Sequence, residues 1–222
     1  MKATSNSTQT RQQLSPSLVH RLNLYALAAS AAGVASLAIA EPAEARIVYT
    51  PAHIRILVNR LTELDLNHDG IKDFHFRNIY GTHKNSTLSV NASRSSNRVW
   101  AGSCTASAFK TSHCAVALSK GRTVGPRSPF EKNPSSLLMA AYQGNTSRSG
   151  TYFGGWARRD AYLGLKFVIK GKTHFGWARV QMDGRSKGFV ATITGYAYET
   201  VLNRPIVTGK TRKSRPLSKQ GT

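Results

Sequence analysis

The sequence predicts an all-β protein, an antiparallel β-sandwich with at most one short helix. β-Branched and aromatic residues alternate with polar residues in several short runs, which is the pattern of strands that are buried on one face. Clusters of Gly, Pro, Asn, Asp and Ser separate these runs at intervals of roughly 8–12 residues. Short strands between such turns are typical of sandwiches, and a lectin-like jelly roll is one form that this sandwich could take.

The C-terminal third of the chain carries the clearest alternation. We place two strands in residues 161–182, joined by a turn at 170–172, and a third strand at 188–200, after a turn at 183–184. A last short strand is expected at 205–209. Side chains point alternately to the two faces of a strand, so one apolar face of this region should form the core. The predicted core residues are Leu165, Phe167, Ile169, Val180 and Ile193.

Shorter strands are expected upstream of this region. Residues 73–79 alternate regularly, with Phe74, Phe76 and Asn78 on one face. The other face carries His75, Arg77 and Ile79, which is the pattern of a half-buried strand. The remaining predicted strands are 46–50, 54–58, 98–103 and 114–118.

Two stretches are predicted to be loops and one a helix. Residues 82–97, apart from one short strand at their middle, and residues 119–135 are rich in Ser, Asn, Pro and Gly, which favours loops. Residues 134–142 read PSSLLMAAY, with Pro and Ser near the start of an apolar run. This composition predicts the one short helix.

The first 45 residues have the pattern of a secretory signal peptide. Residues 1–21 are basic and contain no acid, residues 22–40 are uncharged and rich in Ala and Leu, and Ala43-Glu44-Ala45 is a small-x-small site. Cleavage is expected after Ala45. A retained membrane anchor is the alternative, since the apolar run approaches the roughly 20 residues that span a bilayer. Its Ala, Ser and Gly content favours cleavage, and hence a secreted, periplasmic or cell-surface protein.

The part after the leader is expected to be a single domain, residues 46–209, followed by a disordered basic tail, residues 210–222. The whole chain has 31 Lys plus Arg and 10 Asp plus Glu. Three of these bases and two of these acids lie in the leader, so 28 bases and 8 acids remain, a net charge of +20. A charge of this size keeps a protein soluble and attracts anions.

Cys104 and Cys114, the only cysteines in the sequence, are predicted to form a disulfide. An even pair in an exported chain favours this pairing, and closing so short a loop stabilises the fold by about 2–3 kcal/mol through loop-closure entropy. Two buried thiols are the alternative. Neither cysteine belongs to a C-x-x-C pair or lies near several His residues in sequence, so redox chemistry and zinc binding are not favoured.

Half of the eight remaining acids lie between residues 63 and 73, where the sequence includes DLNHDGIKDF. Counted from Asp65, oxygen-bearing side chains stand at the first, third, fifth and ninth positions, and Gly70 stands at the sixth. Alternate spacing lets such side chains converge on a hard cation, so we predict a Ca²⁺ site. The predicted ligands are Asp65, Asn67, Asp69, the backbone carbonyl of Ile71, and Asp73.

This loop differs from an EF-hand, because the twelfth position is Phe76 where an EF-hand has a bidentate Glu. It resembles the shorter D-x-N-x-D-G-x-x-D loops of thrombospondin type 3, dockerin-like and integrin-like repeats. Without the Glu the site should be weak, with a Kd of about 10⁻⁴–10⁻³ M, and should stabilise a turn. An Asx-rich turn that binds no metal is the alternative.

A second resemblance concerns residues 161–209. The run YLGLKFVIKGKTHFGWARV, followed by ATITGYAYETVLNRPIVTG, resembles the C-terminal part of a group of exported bacterial proteins, many of which end in a PEP-CTERM sorting segment. This chain has Phe175 where the group usually has Tyr, and its last residues are basic with no Pro-Glu-Pro. The resemblance implies export and a non-catalytic β-sandwich. The matching residues are Tyr162, Gly164, Phe167, Gly176, Trp177, Ala178, Tyr198, Glu199, Ile206 and Gly209.

Few residues favour catalysis. The sequence has no G-x-S-x-G and no H-E-x-x-H, and outside the acidic loop Glu199 is the strongest of few carboxylate candidates. We therefore predict no catalytic residues and no specific nucleic-acid partner, since no nucleic-acid recognition motif is present.

The expected partner is an anionic polysaccharide or an envelope surface, bound through exposed bases; the alternatives are a glycan-specific lectin-like module and a glycan-active hydrolase. The predicted polyanion-binding residues are Lys166, Lys170, Lys172, Lys210, Arg212, Lys213 and Arg215, and the tryptophans that could stack on a sugar are Trp100, Trp156 and Trp177.

Overall fold

Two β-sheets pack face to face in the computed structural model. It describes residues 46–81, 85–107, 110–132, 136–144, 150–157, 159–184 and 189–212. The predicted signal peptide, residues 1–45, lies outside these residues, as do Lys213, Arg215 and the rest of the predicted tail beyond residue 212. In the described part of the chain every regular element is a strand, and the prediction of an all-β sandwich is confirmed.

The first sheet, called sheet A here, has five strands in the order β1-β13-β12-β11-β5. All of its pairs are antiparallel. Strands β11 and β12 form a hairpin whose turn has positive φ at Lys170 (47°) and Gly171 (78°), as a two-residue type I′ turn requires. The predicted turn at 170–172 is therefore confirmed. The strands are β1 (Ile47–Ile56), β5 (Arg98–Val99), β11 (Asp160–Ile169), β12 (Lys172–Gly184) and β13 (Phe189–Glu199).

The second sheet, sheet B, has the order β2-β3-β4-β9-β7-β6, with β10 paired to β9. The β7–β9 pair is parallel and the others are antiparallel. A small third pair joins β8 (Thr123–Val124) to β14 (Ile206–Val207). The strands of sheet B are β2 (Arg60–Leu64), β3 (Phe74–Tyr80), β4 (Ser86–Ala92), β6 (Ala101–Ser107), β7 (Lys110–Ala115), β9 (Leu137–Gly144) and β10 (Gly150–Phe153).

The main core lies between the two sheets. It combines inward residues of sheet A with Phe74, Phe76 and Leu88 of sheet B, all of which are fully buried. Of the predicted core residues, Leu165, Phe167, Val180 and Ile193 have 0% exposure, while Ile169 packs against the cluster from its edge. The alternation in β3 is also as predicted, because Phe74, Phe76 and Asn78 are buried.

Sheet A is covered on its other face as well. Tyr162, Phe175 and Trp177 pack there with Leu118 and Ile206, which lie on the segments around β8 and β14. Phe175 stacks on Phe130, with ring centroids 5.8 Å apart. The C-terminal strands are therefore buried on both faces, and Val124 and Phe130, from the stretch that was predicted to be a loop, help to cover this second cluster.

Cys104 of β6 and Cys114 of β7 form a disulfide, with their Cα atoms 5.8 Å apart. This prediction is confirmed. The predicted strand at 98–103 is divided between the two sheets, because β5 belongs to sheet A and β6 to sheet B. Only the first two residues of the strand predicted at 114–118 belong to a strand, because β7 ends at Ala115.

The helix predicted at 134–142 is wrong. Residues 137–144 form β9, which lies between β4 and β7 and is buried along most of its length. A strand that is buried on both faces loses the polar-apolar alternation, and its short apolar run cannot be distinguished from a buried helix by period.

Three strand boundaries also differ from the predictions. Residues 46–50 and 54–58 were predicted as separate strands, but β1 runs through Pro51 with an irregular register between Pro51 and Ile54. Proline is tolerated there because β1 is an edge strand of its sheet. The turn predicted at 183–184 is wrong, because β12 continues to Gly184. The short strand expected within 82–97 is the seven-residue β4. Strands β2, β8 and β10 were not predicted, and β8 lies in the stretch that was predicted to be a loop.

Candidate functional site

The acidic loop, residues 65–73, connects β2 to β3 and is fixed at both ends. The N–H of Asp73 donates to the carbonyl of Leu64 at 2.9 Å. Leu66 is 1% exposed and belongs to the main core. Its side chain packs so closely on Gly176 of β12 that a Cβ at that position would lie 2.7 Å from Cδ2 of Leu66. The loop is thus held against sheet A by an apolar anchor between its polar residues.

Carboxylate oxygens organise the backbone of the loop. Oδ2 of Asp65 accepts from the N–H of Gly70 and Oδ1 of Asp69 accepts from the N–H of Ile71, each at 2.9 Å. The side-chain amide of Asn67 donates to Oδ2 of Asp69 at 2.9 Å. This last bond, with the one from Ile71, lowers the pKa of Asp69. Gly70 has φ of 85°, which is why this sharp turn favours glycine.

Asp73 is the buried carboxylate of the loop, with 2% exposure. Its Oδ2 accepts from the N–H of Leu66 at 2.9 Å and its Oδ1 accepts from the side-chain amide of Asn97 at 3.1 Å. Burial nevertheless raises the pKa of Asp73, and the charges of Asp65 and Asp69 raise it further. A positive charge near these three residues would relieve that cost.

Two oxygens of the loop are buried and have no hydrogen-bond donor: Oδ1 of Asp65 and Oδ1 of Asn67. Buried acceptors without a partner are uncommon. Among the residues that the structure describes, no three His, Cys, Asp or Glu side chains are grouped as a metal site. The amide oxygen of Asn67 and a backbone carbonyl such as that of Ile71 are the additional oxygen donors that a calcium loop uses.

The imidazole of His68 lies beside the loop and was not predicted to contribute. Its Nε2 is 3.2 Å from the hydroxyl of Thr50 and 3.2 Å from that of Tyr196. Burial raises the pKa of Tyr196 and of Tyr198 on the same strand. These contacts join the loop to β1 and β13. Their partners lie far away in sequence, so no local pattern could have revealed them.

The structure describes five of the predicted polyanion-binding residues, and these lie on two segments of the chain, the β11–β12 hairpin and the residues after β14. Lys170 and Lys172 are exposed at the β11–β12 turn, and Lys166 is half-buried opposite Arg98 in the sheet register. Lys210 and the exposed Arg212 follow β14 on a separate segment.

Two of the three tryptophans cannot stack on a ligand in this structure. Trp156 is fully buried and its indole N–H donates to the carbonyl of Ala115 at 2.7 Å. Trp177 is 2% exposed and packs between Tyr49 and Tyr162. Trp100, in contrast, is half-buried and lines an open groove.

This groove, the Trp100 groove, has a volume of about 570 Å³, within the usual range of roughly 300–1,000 Å³ for ligand sites. Its chemistry is that of an aromatic ring, three prolines and two exposed arginines, with polar atoms from a short loop. The sequence predicted Trp100 as a possible sugar-stacking residue on a strand and placed residues 122–129 in a loop, but it did not predict that the two come together. The lining residues are Trp100, Arg122, Thr123, Gly125, Pro126, Arg127, Ser128, Pro129 and Pro205.

Glu199, the strongest carboxylate candidate for catalysis, has a structural environment. It is 4% exposed, and its Oε1 accepts from the N–H of Val201 at 3.1 Å. Its backbone carbonyl lies 3.0 Å from Nδ1 of the buried His174.

Elsewhere, Nδ1 of His113 is 3.4 Å from Oε2 of Glu131.

Comparison with protein families, with curated proteins and with solved structures finds no match for this chain. Within the described ranges, no helix is both long enough and apolar enough to cross a membrane.

Proposed function

We propose that this protein is an exported, non-catalytic β-sandwich that binds acidic polysaccharide or another anionic envelope surface, and that calcium stabilises its acidic loop. The observation that carries the proposal is the excess of bases, 28 against 8 acids in residues 46–222. Export rests on the leader pattern and on the resemblance described above. It predicts that the mature protein begins at Arg46, which N-terminal sequencing of the exported protein would test.

The bases are available to an external anion because most of them are exposed. Exposed Lys and Arg side chains occur on both sheets and on loops, among them Arg55, Arg77, Lys120, Lys170 and Arg204. A bidentate ion pair joins Arg179 to Asp160. With so few acids, pairing of this kind leaves a large positive potential that attracts polyanions.

The calcium part of the proposal rests on the loop oxygens. Asp65 and Asn67 each direct a buried oxygen that accepts no hydrogen bond, and Asp73 is a buried carboxylate whose pKa is raised by burial. A divalent cation would supply the missing partner and offset the repulsion among Asp65, Asp69 and Asp73. Bound calcium would contribute only charge and coordination, which stabilise the fold.

Calcium should raise the melting temperature of chelator-treated protein. With a Kd of about 10⁻⁴–10⁻³ M, calcium at about 10 mM should stabilise the native state by about 1.4–2.7 kcal/mol. For a domain of this size that corresponds to a rise of about 3–11 °C. The double variant Asp65→Asn/Asp69→Asn should lose the rise, while Glu63→Gln, which removes a nearby exposed charge, should keep it. An unchanged wild-type melt would mean that the loop is only a turn.

The calcium effect should also depend on pH through Asp73. The pKa of Asp73 is higher in the folded protein than in the unfolded chain. Without calcium, protonation of Asp73 therefore stabilises the folded state. This stabilisation is complete below the pKa of Asp73 in the unfolded chain and is lost as the pH rises through its pKa in the folded protein. Calcium needs the ionised carboxylate. The calcium-dependent rise in melting temperature should therefore be larger above the pKa of Asp73 in the folded protein and fade as the pH falls through that pKa. A rise that is equal at acidic and neutral pH would contradict the role of Asp73.

Polyanion binding should be weak and steeply dependent on salt, since exposed charges are screened over about 8 Å at physiological ionic strength. We expect retention on heparin or acidic polysaccharide that falls when residues 210–222 are deleted. A glycan array at two salt concentrations, with product analysis, separates the alternatives. Salt-insensitive binding of a neutral sugar would indicate a lectin, and cleaved product would indicate a hydrolase.

A further inference from the structure

We propose that the Trp100 groove is a specific site for a hexuronic acid unit of an acidic polysaccharide. The inference rests on the proposed function and deepens it, because it names the class of sugar and the residues that select it. The diffuse attraction described above requires only net charge, whereas this site requires a particular arrangement of side chains.

The two guanidinium groups of the groove are available to a carboxylate. Arg122 and Arg127 are exposed and line the same groove, and neither forms an ion pair with a carboxylate of the described residues. The lining contains no Asp or Glu. A guanidinium presents parallel N–H donors that match the two oxygens of a carboxylate, and a lysine cannot reproduce this planar fork.

The walls of the groove suit the apolar face of a pyranose ring. Trp100 and the rings of Pro126, Pro129 and Pro205 provide flat apolar surface beside the arginines. The C–H groups of a sugar ring pack on such surfaces while its carboxylate remains at the edge. Trp100 is held in place by its edge contact with Phe130, with ring centroids 6.4 Å apart. A groove that combined charge with polar walls alone would favour a simple inorganic anion.

The backbone under the two arginines is fixed by hydrogen bonds. The N–H of Arg122 donates to the hydroxyl of Thr208 at 2.9 Å, and that hydroxyl donates to the carbonyl of Ser119 at 2.8 Å. On the other side of the groove, Gly125 and Ser128 close a tight turn that contains Arg127, through two hydrogen bonds of 2.9 Å. The groove is therefore largely preformed, which lowers the entropy that binding must overcome.

Two backbone hydrogen bonds fix Trp100 between sheet A and the segment that follows β7. Its N–H donates to the carbonyl of Gly164 at 2.8 Å, and its carbonyl accepts from the N–H of Val116 at 3.1 Å. A side chain on Gly125 would collide with Pro205, since a Cβ there would lie 2.6 Å from the Cβ of that proline. The chain thus needs glycine at this point to bring Pro205 to the groove.

The test uses the whole exported chain and an oligogalacturonate as probe, with heparin oligosaccharide and neutral dextran as comparisons. Affinity is measured by calorimetry at about 0.15 M and at about 1 M salt, where the Debye length falls from about 8 Å to about 3 Å. We expect the oligogalacturonate to remain bound at the higher salt concentration, while heparin binding largely disappears and dextran does not bind.

The decisive variant is Arg122→Lys/Arg127→Lys, because it keeps the net charge. It should weaken high-salt binding of oligogalacturonate about tenfold and leave low-salt heparin retention unchanged. Trp100→Ala should weaken the same binding by a similar factor, with the melting temperature showing that the variant is folded. Lys170→Gln/Lys172→Gln, which removes two charges elsewhere, should lower heparin retention and leave high-salt uronate binding unchanged.

Several results would overturn the groove proposal. One is the absence of oligogalacturonate binding at high salt, and another is an Arg122→Lys/Arg127→Lys variant that binds as the wild type does. The third is a Lys170→Gln/Lys172→Gln variant that loses as much high-salt affinity for oligogalacturonate as the groove variants do. If salt-dependent heparin retention persists in such a case, the polyanion function stands and only the groove fails. If heparin retention is also absent, both proposals fail.

Discussion

Replacing the buried Asn78 of β3 should destabilise the protein more than its size suggests. Asn78 is 1% exposed, and its side chain connects sheet B to sheet A. Its amide donates to the carbonyls of Ile56 (3.1 Å) and Phe189 (2.6 Å), and its Oδ1 accepts from the N–H of Phe189 at 3.3 Å. Three hydrogen bonds to backbone groups of β1 and β13 therefore depend on one side chain.

The magnitude follows from these three bonds. A buried hydrogen bond contributes about 1 kcal/mol, and an unsatisfied buried group costs about 1–3 kcal/mol. Asn78→Ala should therefore lower the free energy of unfolding by about 3 kcal/mol or more, and the melting temperature by about 6–12 °C for a domain of this size. Asn78→Leu restores apolar volume but leaves the same backbone groups without partners, so it should be similarly destabilised.

Urea unfolding of the purified protein, monitored by intrinsic tryptophan fluorescence, measures this effect. Arg77→Ala is the matched control, since Arg77 is the exposed neighbour on the opposite face of β3, and its replacement should change stability by no more than about 0.5 kcal/mol. If Asn78→Leu is as stable as the wild type, apolar burial is sufficient at this position. The hydrogen-bonded link between the sheets would then contribute nothing measurable.

Two further predictions concern the backbone and the disulfide. Gly154→Ala should lower the free energy of unfolding by about 2 kcal/mol or more. Gly154 has φ of 82°, and an added Cβ would lie 2.4 Å from the carbonyl oxygen of Met139. Denaturant unfolding measures the effect, and a variant as stable as the wild type would contradict the prediction. Replacing Cys104 and Cys114 by Ser should cost about 2–3 kcal/mol, and mass spectrometry of the exported protein should find neither thiol alkylated before reduction.

The regular part of the fold was predictable because local pattern and tertiary environment agree there. Strand β3 alternates between buried and more exposed residues, and in β11 Leu165 and Phe167 lie in the main core as predicted. The Lys170-Gly171 turn could be placed because positive φ at two successive residues limits which residues fit. In these segments the period of the strand is enough to assign a face to each side chain.

Prediction failed at β9, whose two faces are both apolar, and at the point where the chain changes sheets. Strand β9 reads as a continuous apolar run, and Trp100 lies where the chain passes from sheet A to sheet B. Neither fact can be read locally, since each depends on which strands lie alongside. The burial of Trp156 and Trp177 has the same origin, because the segments that cover Trp177 come from both sides of it in sequence.

The acidic loop was located by spacing, but the roles of its residues were not. The sequence treats Asp65, Asp69 and Asp73 as equivalent ligands. In the structure, Asp73 is buried and accepts hydrogen bonds from Leu66 and Asn97, whereas Asp69 is exposed and orders the turn. The distinction arises from Asn97, which belongs to a separate turn after β4, and only the folded chain brings it to Asp73.

The placement of the acids explains why so much positive charge remains on the surface without a carboxylate to neutralise it. Asp73 and Glu199 are buried and accept hydrogen bonds from the protein's own N–H groups. Asp65 is partly buried in the acidic loop, where it orders the turn with Asp69, and Asp160 pairs with Arg179. Most of the few carboxylates are thus committed within the fold, and they cannot neutralise the bases spread over its surface. Because exposed cations of one sign repel one another, an anionic polymer that bridges them would stabilise the folded protein as well as bind to it.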